Sequence, residues 1–378
     1  MFRSKGYSKA SASILILLFV AGLLVGGLLI YFVGYRQVSA LNGQIANLQS
    51  AVSNIDGFQN ATYQNITILQ NGTSLVDIYA NVRDSVVLVQ GKTDDGGVQG
   101  SGFVYNFEGQ NVVLTNYHVV EDTSGLSVTF SNGCGYPATI LGTDLYSDLA
   151  VLSVNAPATE FKPVTIVSSS FLRVGEPVIA IGNPYGLIGS LTTGVVSATG
   201  RTITEDSSGG YAIANIIQTS APINPGNSGG LLLNAVGNVV GITTAIVSDS
   251  QGLGFAIPSN TILRELQALI TTGSYDGHSY LGVTGSDMSY GLAQEIGANI
   301  TYGWRIVSVV NGGPSSGNLD VGDIIIALNQ QIIKNNDDLA SYLAENILPG
   351  DDLEITVVRG NSQVLVTVTS GTRPAPPA

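Results

Sequence analysis

Ile223-Asn-Pro-Gly-Asn-Ser-Gly-Gly230 is a serine enclosed by glycines on a tight turn. Glycine lets the backbone take positive φ and lets a substrate carbonyl approach closely, which is what a nucleophile needs. The amides of Gly226 and Ser228 can converge on one spot as an oxyanion hole, a contribution worth about 3 kcal/mol. Such a serine needs a base, and the chain has only two histidines, His118 and His278. His118 closes the strand-like run Val112-Val-Leu-Thr-Asn-Tyr-His118, whereas His278 lies in a polar Asp-Gly-His-Ser linker and is expected at the surface. The base in turn needs a buried carboxylate to fix its tautomer. Asp148 opens the apolar run Leu149–Leu152 and is best placed for burial; Asp122 and Asp144, in polar loops, are the weaker alternatives.

Around these residues the chain is β-rich. Val86–Gln90, Gly102–Tyr105, Val112–Thr115, Leu126–Phe130, Ala150–Val154, Pro177–Ile181, Gly194–Ala198, Ile213–Gln218, Leu231–Leu233 and Val239–Ile246 are short apolar or β-branched runs punctuated by Gly, Asn, Asp and Pro. Strands at this spacing predict antiparallel barrels or a sandwich. A helix is predicted next, capped by Ser259 or Asn260, with Ile262, Leu263, Leu266, Leu269 and Ile270 as its apolar stripe and Gly273 at its end.

Several pieces together resemble the HtrA (Deg) family of trypsin-like serine proteases. They are Gly100-Ser-Gly-Phe-Val104, Leu114-Thr-Asn-Tyr-His-Val-Val120, Ser147-Asp-Leu-Ala-Val-Leu152, Ile181-Gly-Asn-Pro-Tyr-Gly186, Ile217-Gln-Thr219, Ile223–Gly230 and Gly252-Leu-Gly-Phe-Ala-Ile-Pro258. The resemblance implies a mainly β fold: two perpendicular six-stranded barrels over residues 78–272 with the active site in the cleft between them. It carries His118, Asp148 and Ser228 over as base, orienting carboxylate and nucleophile, and Gly226 and Ser228 as oxyanion donors. Ile223 and Ile246 would line the pocket for the side chain before the scissile bond, favouring small or medium apolar residues. The chain departs from most relatives at Ser220-Ala221-Pro222 and Leu231, neither within the triad. The same resemblance extends to residues 278–371 as a PDZ domain. Tyr280-Leu-Gly-Val283 matches its carboxylate-binding loop, Val321-Gly-Asp-Ile-Ile-Ile326 a further signature, and Asn336–Asn346 is its predicted helix. Backbone amides around Leu281–Val283 would capture a peptide C-terminus. Residues 372–378, with Pro374, Pro376 and Pro377, are expected to be a disordered tail.

At the other end, Ile14–Val33 is a run of 20 residues without a charge. As a helix it spans about 30 Å, the thickness of a bilayer core. Arg3, Lys5 and Lys9 precede it, so residues 1–13 are expected in the cytoplasm and everything beyond the anchor outside the cell membrane. The alternative is cleavage after Ala40. Residues 34–77 are expected to form a stalk. It carries a short heptad seam, Val38, Leu41, Ile45, Leu48, Val52 and Ile55, and three sequons at Asn60, Asn65 and Asn71; Asn299 begins a fourth. The family resemblance and the seam together imply a homotrimer.

Composition narrows the function further. Of 14 basic residues, Arg3, Lys5, Lys9 and Arg36 lie at the start, so ten are left against all 27 acids from residue 37 onward. Such a surface repels phosphate backbones and excludes nucleic acid as a partner. One cysteine and two histidines exclude a disulfide framework, a Cys-based metal site and a multi-His one; no cofactor is expected. The partners expected are protein and peptide substrates and the membrane. A peptide-binding or chaperone protein without proteolysis is the competing reading, and the intact triad argues against it.

Overall fold

The structure, a computed structural model, describes residues 36–37, 74–94, 96–183, 189–204, 212–244 and 253–375. The expected anchor, heptad seam and first three sequons lie outside these residues, as do Ile246 and residues 376–378. Among the described residues no helix is long and apolar enough to cross a membrane. The elements below belong to one compact unit, Leu69–Ala378.

Helix α1 (Leu75–Val82) leads in, with the Ser74 hydroxyl accepting from the Asp77 amide as its N-cap. It begins ahead of residue 78 and buries Ile78 and Val82. Strands β1 (Val86–Thr93), β2 (Gly96–Phe107), β3 (Gln110–Thr115), β4 (Ser124–Thr129), β5 (Gly135–Asp144) and β6 (Leu149–Val154) close a barrel in the order β1-β2-β3-β6-β5-β4. A second barrel, ordered β10-β11-β12-β9-β8-β7, is built from β7 (Pro177–Gly182), β8 (Ser190–Thr204), β9 (Ala212–Thr219), β10 (Leu231–Asn234), β11 (Val239–Thr244) and β12 (Gly254–Pro258).

Side chains alternate across a strand, and here both faces are apolar because each has a core to enter. Along β6, Ala150 and Leu152 join the cluster of Val87, Val104 and Phe130, while Leu149 and Val151 join a second cluster that draws on both barrels. In β7, Val178 and Ala180 pack with Leu232 and Val240, while Ile179 and Ile181 enter that shared cluster. This continuity explains why these strands appear in the sequence as unbroken apolar runs. Helix α2 (Ser259–Thr271) lays Ile262, Leu266 and Leu269 onto the shared core. Its N-cap is Pro258 without a side-chain bond; the Ser259 hydroxyl, expected as a cap, instead donates to the Val167 carbonyl. Leu263 is exposed, and the buried polar residues on this helix are Ser259, Thr261 and the acidic Glu265.

After a linker comes the PDZ unit. Its sheet is ordered β14-β15-β16-β18-β19, from β14 (Val283–Asp287), β15 (Trp304–Val309), β16 (Ile324–Leu328), β18 (Asp352–Arg359) and β19 (Ser362–Thr369), with β17 (Gln331–Ile332) paired to β16. Helix α3 (Tyr290–Ile296) and helix α4 (Asn336–Asn346) accompany it. The segment expected as a disordered tail is ordered to Ala375. Strand β20 (Gly371–Thr372) pairs with β13 (Ser279–Tyr280), the Arg373 amide donates to the His278 carbonyl, and the Pro374 carbonyl accepts from the Tyr146 hydroxyl.

Candidate active site

Two consecutive turns present Ser228. In the first, the Asn227 amide donates to the Asn224 carbonyl at 2.9 Å, with Pro225 and Gly226 between them and Gly226 at φ +92°. In the second, the Gly230 amide donates to the Asn227 carbonyl at 2.9 Å, with Gly229 at φ +84°. Positive φ at only the third position is the type II pattern, which suits proline at the second and glycine at the third. Ser228 therefore stands at the corner of the second turn. The turns are fastened to the other barrel by Ser101 of β2. Its amide donates to the Ser228 carbonyl at 2.7 Å, its hydroxyl to the Gly226 carbonyl at 2.6 Å, and its carbonyl accepts from the Thr115 hydroxyl at 2.7 Å. Among the described residues the Gly226 amide donates to no backbone carbonyl.

His118 sits in a 3-10 turn directly after β3, and Asp148 directly before β6, the two strands being hydrogen-bonded neighbours. Register alone brings the pair together. Asp148 is 1% exposed. The His118 ring nitrogen Nδ1 lies 3.0 Å and 2.9 Å from Asp148 Oδ1 and Oδ2. The His118 amide donates to Oδ1 at 3.0 Å, and the Thr244 hydroxyl of β11 donates to Oδ2 at 3.2 Å. A carboxylate only accepts, so Nδ1 carries the proton and Nε2 is left as the basic nitrogen. Gly100 joins the halves: a Cβ there would stand 2.7 Å from Val119 and 3.2 Å from the Ser228 carbonyl.

The other carboxylates take different roles. Asp122 is exposed. Asp144 is buried, contrary to its polar-loop appearance, and its Oδ2 lies 2.5 Å from His278 Nε2. His278 is accordingly not a surface residue: its side chain is 13% exposed. Burial works to raise the Asp144 carboxyl, but the hydrogen bond and charge of His278, together with hydrogen bonds from Glu265 and the Tyr146 amide, outweigh it and hold Asp144 below its ordinary value. Glu265 is pushed well above the usual carboxylate range, first by burial and then by the charge of Asp144. Burial, reinforced by a hydrogen bond to Glu121, pushes the Tyr117 hydroxyl up to about 12, so it is a neutral donor beside the base.

Ile223 is half-buried against the interior of the second barrel. Tyr280, Leu281, Gly282 and Val283 line a groove of about 250 Å³ together with Leu339 and Leu343 of α4 and with Thr202, Ala212 and Ala214 of the second barrel. The carbonyls of Leu281 and Gly282 are taken by the amides of Ser315 and Val310, while the amides of Leu281 and Gly282 donate to no backbone carbonyl among the described residues. Asn299 is exposed, and its amide donates to the Asn361 side chain. Sequence reasoning missed Thr244, Thr115 and Ser101 as supports of the site. Thr115 and Ser101 lie inside quoted motifs, but a threonine on β11 carries no local signal for Asp148.

The family model for a trypsin-like peptidase domain matches residues 100–242, and that for a PDZ domain matches residues 279–369. The solved structure of the HtrA-type protease AlgW with a tripeptide superposes with a TM-score of 0.66 at 32% identity, covering 80% of this chain and 99% of that one. The chain belongs to the HtrA family of serine proteases. Among curated HtrA relatives, a "Probable periplasmic serine endoprotease DegP-like" of Brucella suis is 38% identical over 280 residues, which is 73% of this chain and 53% of that protein. "Protease Do-like 1, chloroplastic" of Arabidopsis thaliana is 36% identical over 291 residues, 73% of this chain and 64% of that one. This HtrA chain thus spans about half the length of the first of these.

Proposed function

We propose that this chain is a serine endopeptidase acting on misfolded or specific proteins outside a cell membrane. Ser228 is the nucleophile, His118 the general base and Asp148 the carboxylate that orients it. The observation that carries this reading is the buried Asp148 carboxylate within 3.0 Å of His118 Nδ1, beside a serine on a double type II turn. In the first half-reaction Ser228 Oγ bonds to the scissile carbonyl carbon and its proton passes to His118 Nε2. The amides of Gly226 and Ser228 hold the oxyanion. His118 then gives the proton to the leaving amine as the C–N bond breaks, and water repeats the sequence on the acyl-enzyme. The Ile223 pocket accepts a small or medium apolar side chain. The groove at Tyr280–Val283 takes the C-terminus of a peptide by its backbone amides.

A fluorophosphonate should label Ser228 covalently, and the full chain should hydrolyse casein. Labelling that persists in Ser228→Ala would sink the assignment. Residues 14–33 are proposed to anchor the protein with residues 1–13 in the cytoplasm, and three copies to assemble through the protease domain with help from the Val38–Ile55 seam. On intact cells an added protease should remove residues 37–378 and spare the first 36, and the detergent-extracted chain should sediment as a trimer. A soluble form starting near Leu41, or a monomer with full activity, would refute these two points.

A further inference from the structure

The turn that delivers Asp148 to His118 is pinned from outside its own barrel. Asp144 Oδ2 meets His278 Nε2 at 2.5 Å, and the Ser147 hydroxyl donates to Glu265 Oε1 of α2 at 2.8 Å. The Tyr146 ring packs edge-on against His278 at 5.3 Å and beneath the Arg373 guanidinium at 4.0 Å. The Thr143 amide donates to the Gly273 carbonyl at 3.1 Å. Every one of these partners lies on α2, on the linker into the PDZ unit, or on the segment that follows its last strand. His278 and Arg373, with Asp144 and Tyr146, border a cavity of about 270 Å³ reaching Tyr117, the neighbour of His118.

Asp148 has φ +50°, in the left-handed region that favours glycine. Such a conformation costs on the order of 1 kcal/mol and persists only where the surroundings over-determine it. Its own bonds to His118 and Thr244 fix the carboxylate end. At the backbone end the Asp148 carbonyl accepts from the Asn116 side chain at 3.0 Å and the Tyr117 amide at 3.1 Å, and its amide donates to the Leu145 carbonyl, inside the turn that the pins at residues 144–147 hold from outside. Within the group, Arg264 donates to Glu265 Oε1 at 2.9 Å and His278 faces Asp144.

We propose that His278 is a positioning residue for catalysis: by holding Asp144 it sets where Asp148 meets His118, which ties the linker into the PDZ unit mechanically to the triad. This rests on Asp148 being the orienting carboxylate. Loss of the pin lets the turn relax, and misplacement of about 1 Å near a reacting group costs up to ~100-fold in rate.

The test uses the full chain with casein. His278→Ala should lower kcat about 10–100-fold with KM little changed. A displaced Asp148 stabilises the imidazolium less, so the acid limb of the kcat/KM profile should move to lower pH. His278→Gln, which carries an N–H of comparable reach, should recover most of both. If His278→Ala fails to fold, Ser147→Ala removes one hydroxyl from the same turn and should shift kcat and the acid limb in the same direction. Asp148→Asn is the control. If it abolishes activity while the folded His278 or Ser147 variant keeps wild-type kcat and pH profile, the positioning role is wrong and the triad stands. If Asp148→Asn is itself fully active, the triad assignment has failed and this inference with it.

Discussion

Replacing Ser228 or His118 by alanine is expected to lower kcat on casein about a millionfold, and the double variant should be no worse than either single one, because the two act as one unit. Without Nε2 as base the Ser228 hydroxyl keeps its proton; without the hydroxyl the base has nothing to receive. Asp148→Asn is expected to cost about 10⁴-fold while leaving the fold intact. The asparagine oxygen can still accept from the His118 amide, which bonds Oδ1 here, while its NH2 takes the place of Oδ2, where the Thr244 hydroxyl can turn to accept instead of donate. Its amide nitrogen would donate to Nδ1, sending the ring proton to Nε2 and removing the base. Asp148→Ala differs in kind: it strands those buried donors, each left-over group costing about 1–3 kcal/mol, so stability falls along with activity. Steady-state rates set beside urea midpoints separate the two effects. Losses that add in the double variant, or an Asp148→Asn enzyme that works normally, would show that these residues do not form one machine.

The parts of this site legible in the sequence are those whose signal is local. Ser228 declares itself through Gly226, Gly229 and Gly230, because the double turn demands positive φ at two of those positions. Asp148 does so through the apolar strand it opens. In the two barrels, the strands that went unread are β5 and β12. In β5, Pro137 and Gly142 break the apolar pattern, and the reason lies elsewhere in the chain: α2 crosses so closely that a Cβ on Gly142 would stand 2.2 Å from the Leu269 carbonyl. Gly254–Pro258 is bracketed by residues that usually end strands, yet it closes the second barrel between β9 and β11. His278 shows the limit most clearly. Its neighbours in sequence are polar, but its partner Asp144 lies 134 residues earlier, and no local pattern encodes a contact made only when the linker folds back onto the protease domain. Thr244 was invisible for the same reason: its bond to Asp148 crosses from one barrel to the other.

Gly229→Ala is expected to destabilise the protein by about 4 kcal/mol or more, in the range reserved for the most disruptive single changes. Two effects act at this position, and a second glycine separates them. Gly229 and Gly237 have nearly the same φ, +84° and +88°, so alanine carries a similar penalty for positive φ at both, about 1–2 kcal/mol. Their surroundings differ. At Gly237 a Cβ would meet the Ile78 side chain at 3.4 Å, ordinary contact with a flexible neighbour. At Gly229 it would stand 2.0 Å from the Ser101 carbonyl oxygen and 2.4 Å from the Thr115 hydroxyl. Neither can retreat cheaply, since the Ser101 carbonyl accepts from that hydroxyl and the Ser101 amide donates to the Ser228 carbonyl. The clash must be relieved by moving the turn, which displaces Ser228 and the Gly226 amide together. Urea denaturation of the two variants should therefore give Gly237→Ala a modest loss with normal fluorophosphonate labelling. Gly229→Ala should show a loss larger by about 2 kcal/mol or more and little labelling even where it is folded. Equal losses at the two sites, with Ser228 still reactive in both, would mean that the contact between the Ser228 turn and β2 is not what holds the nucleophile in place.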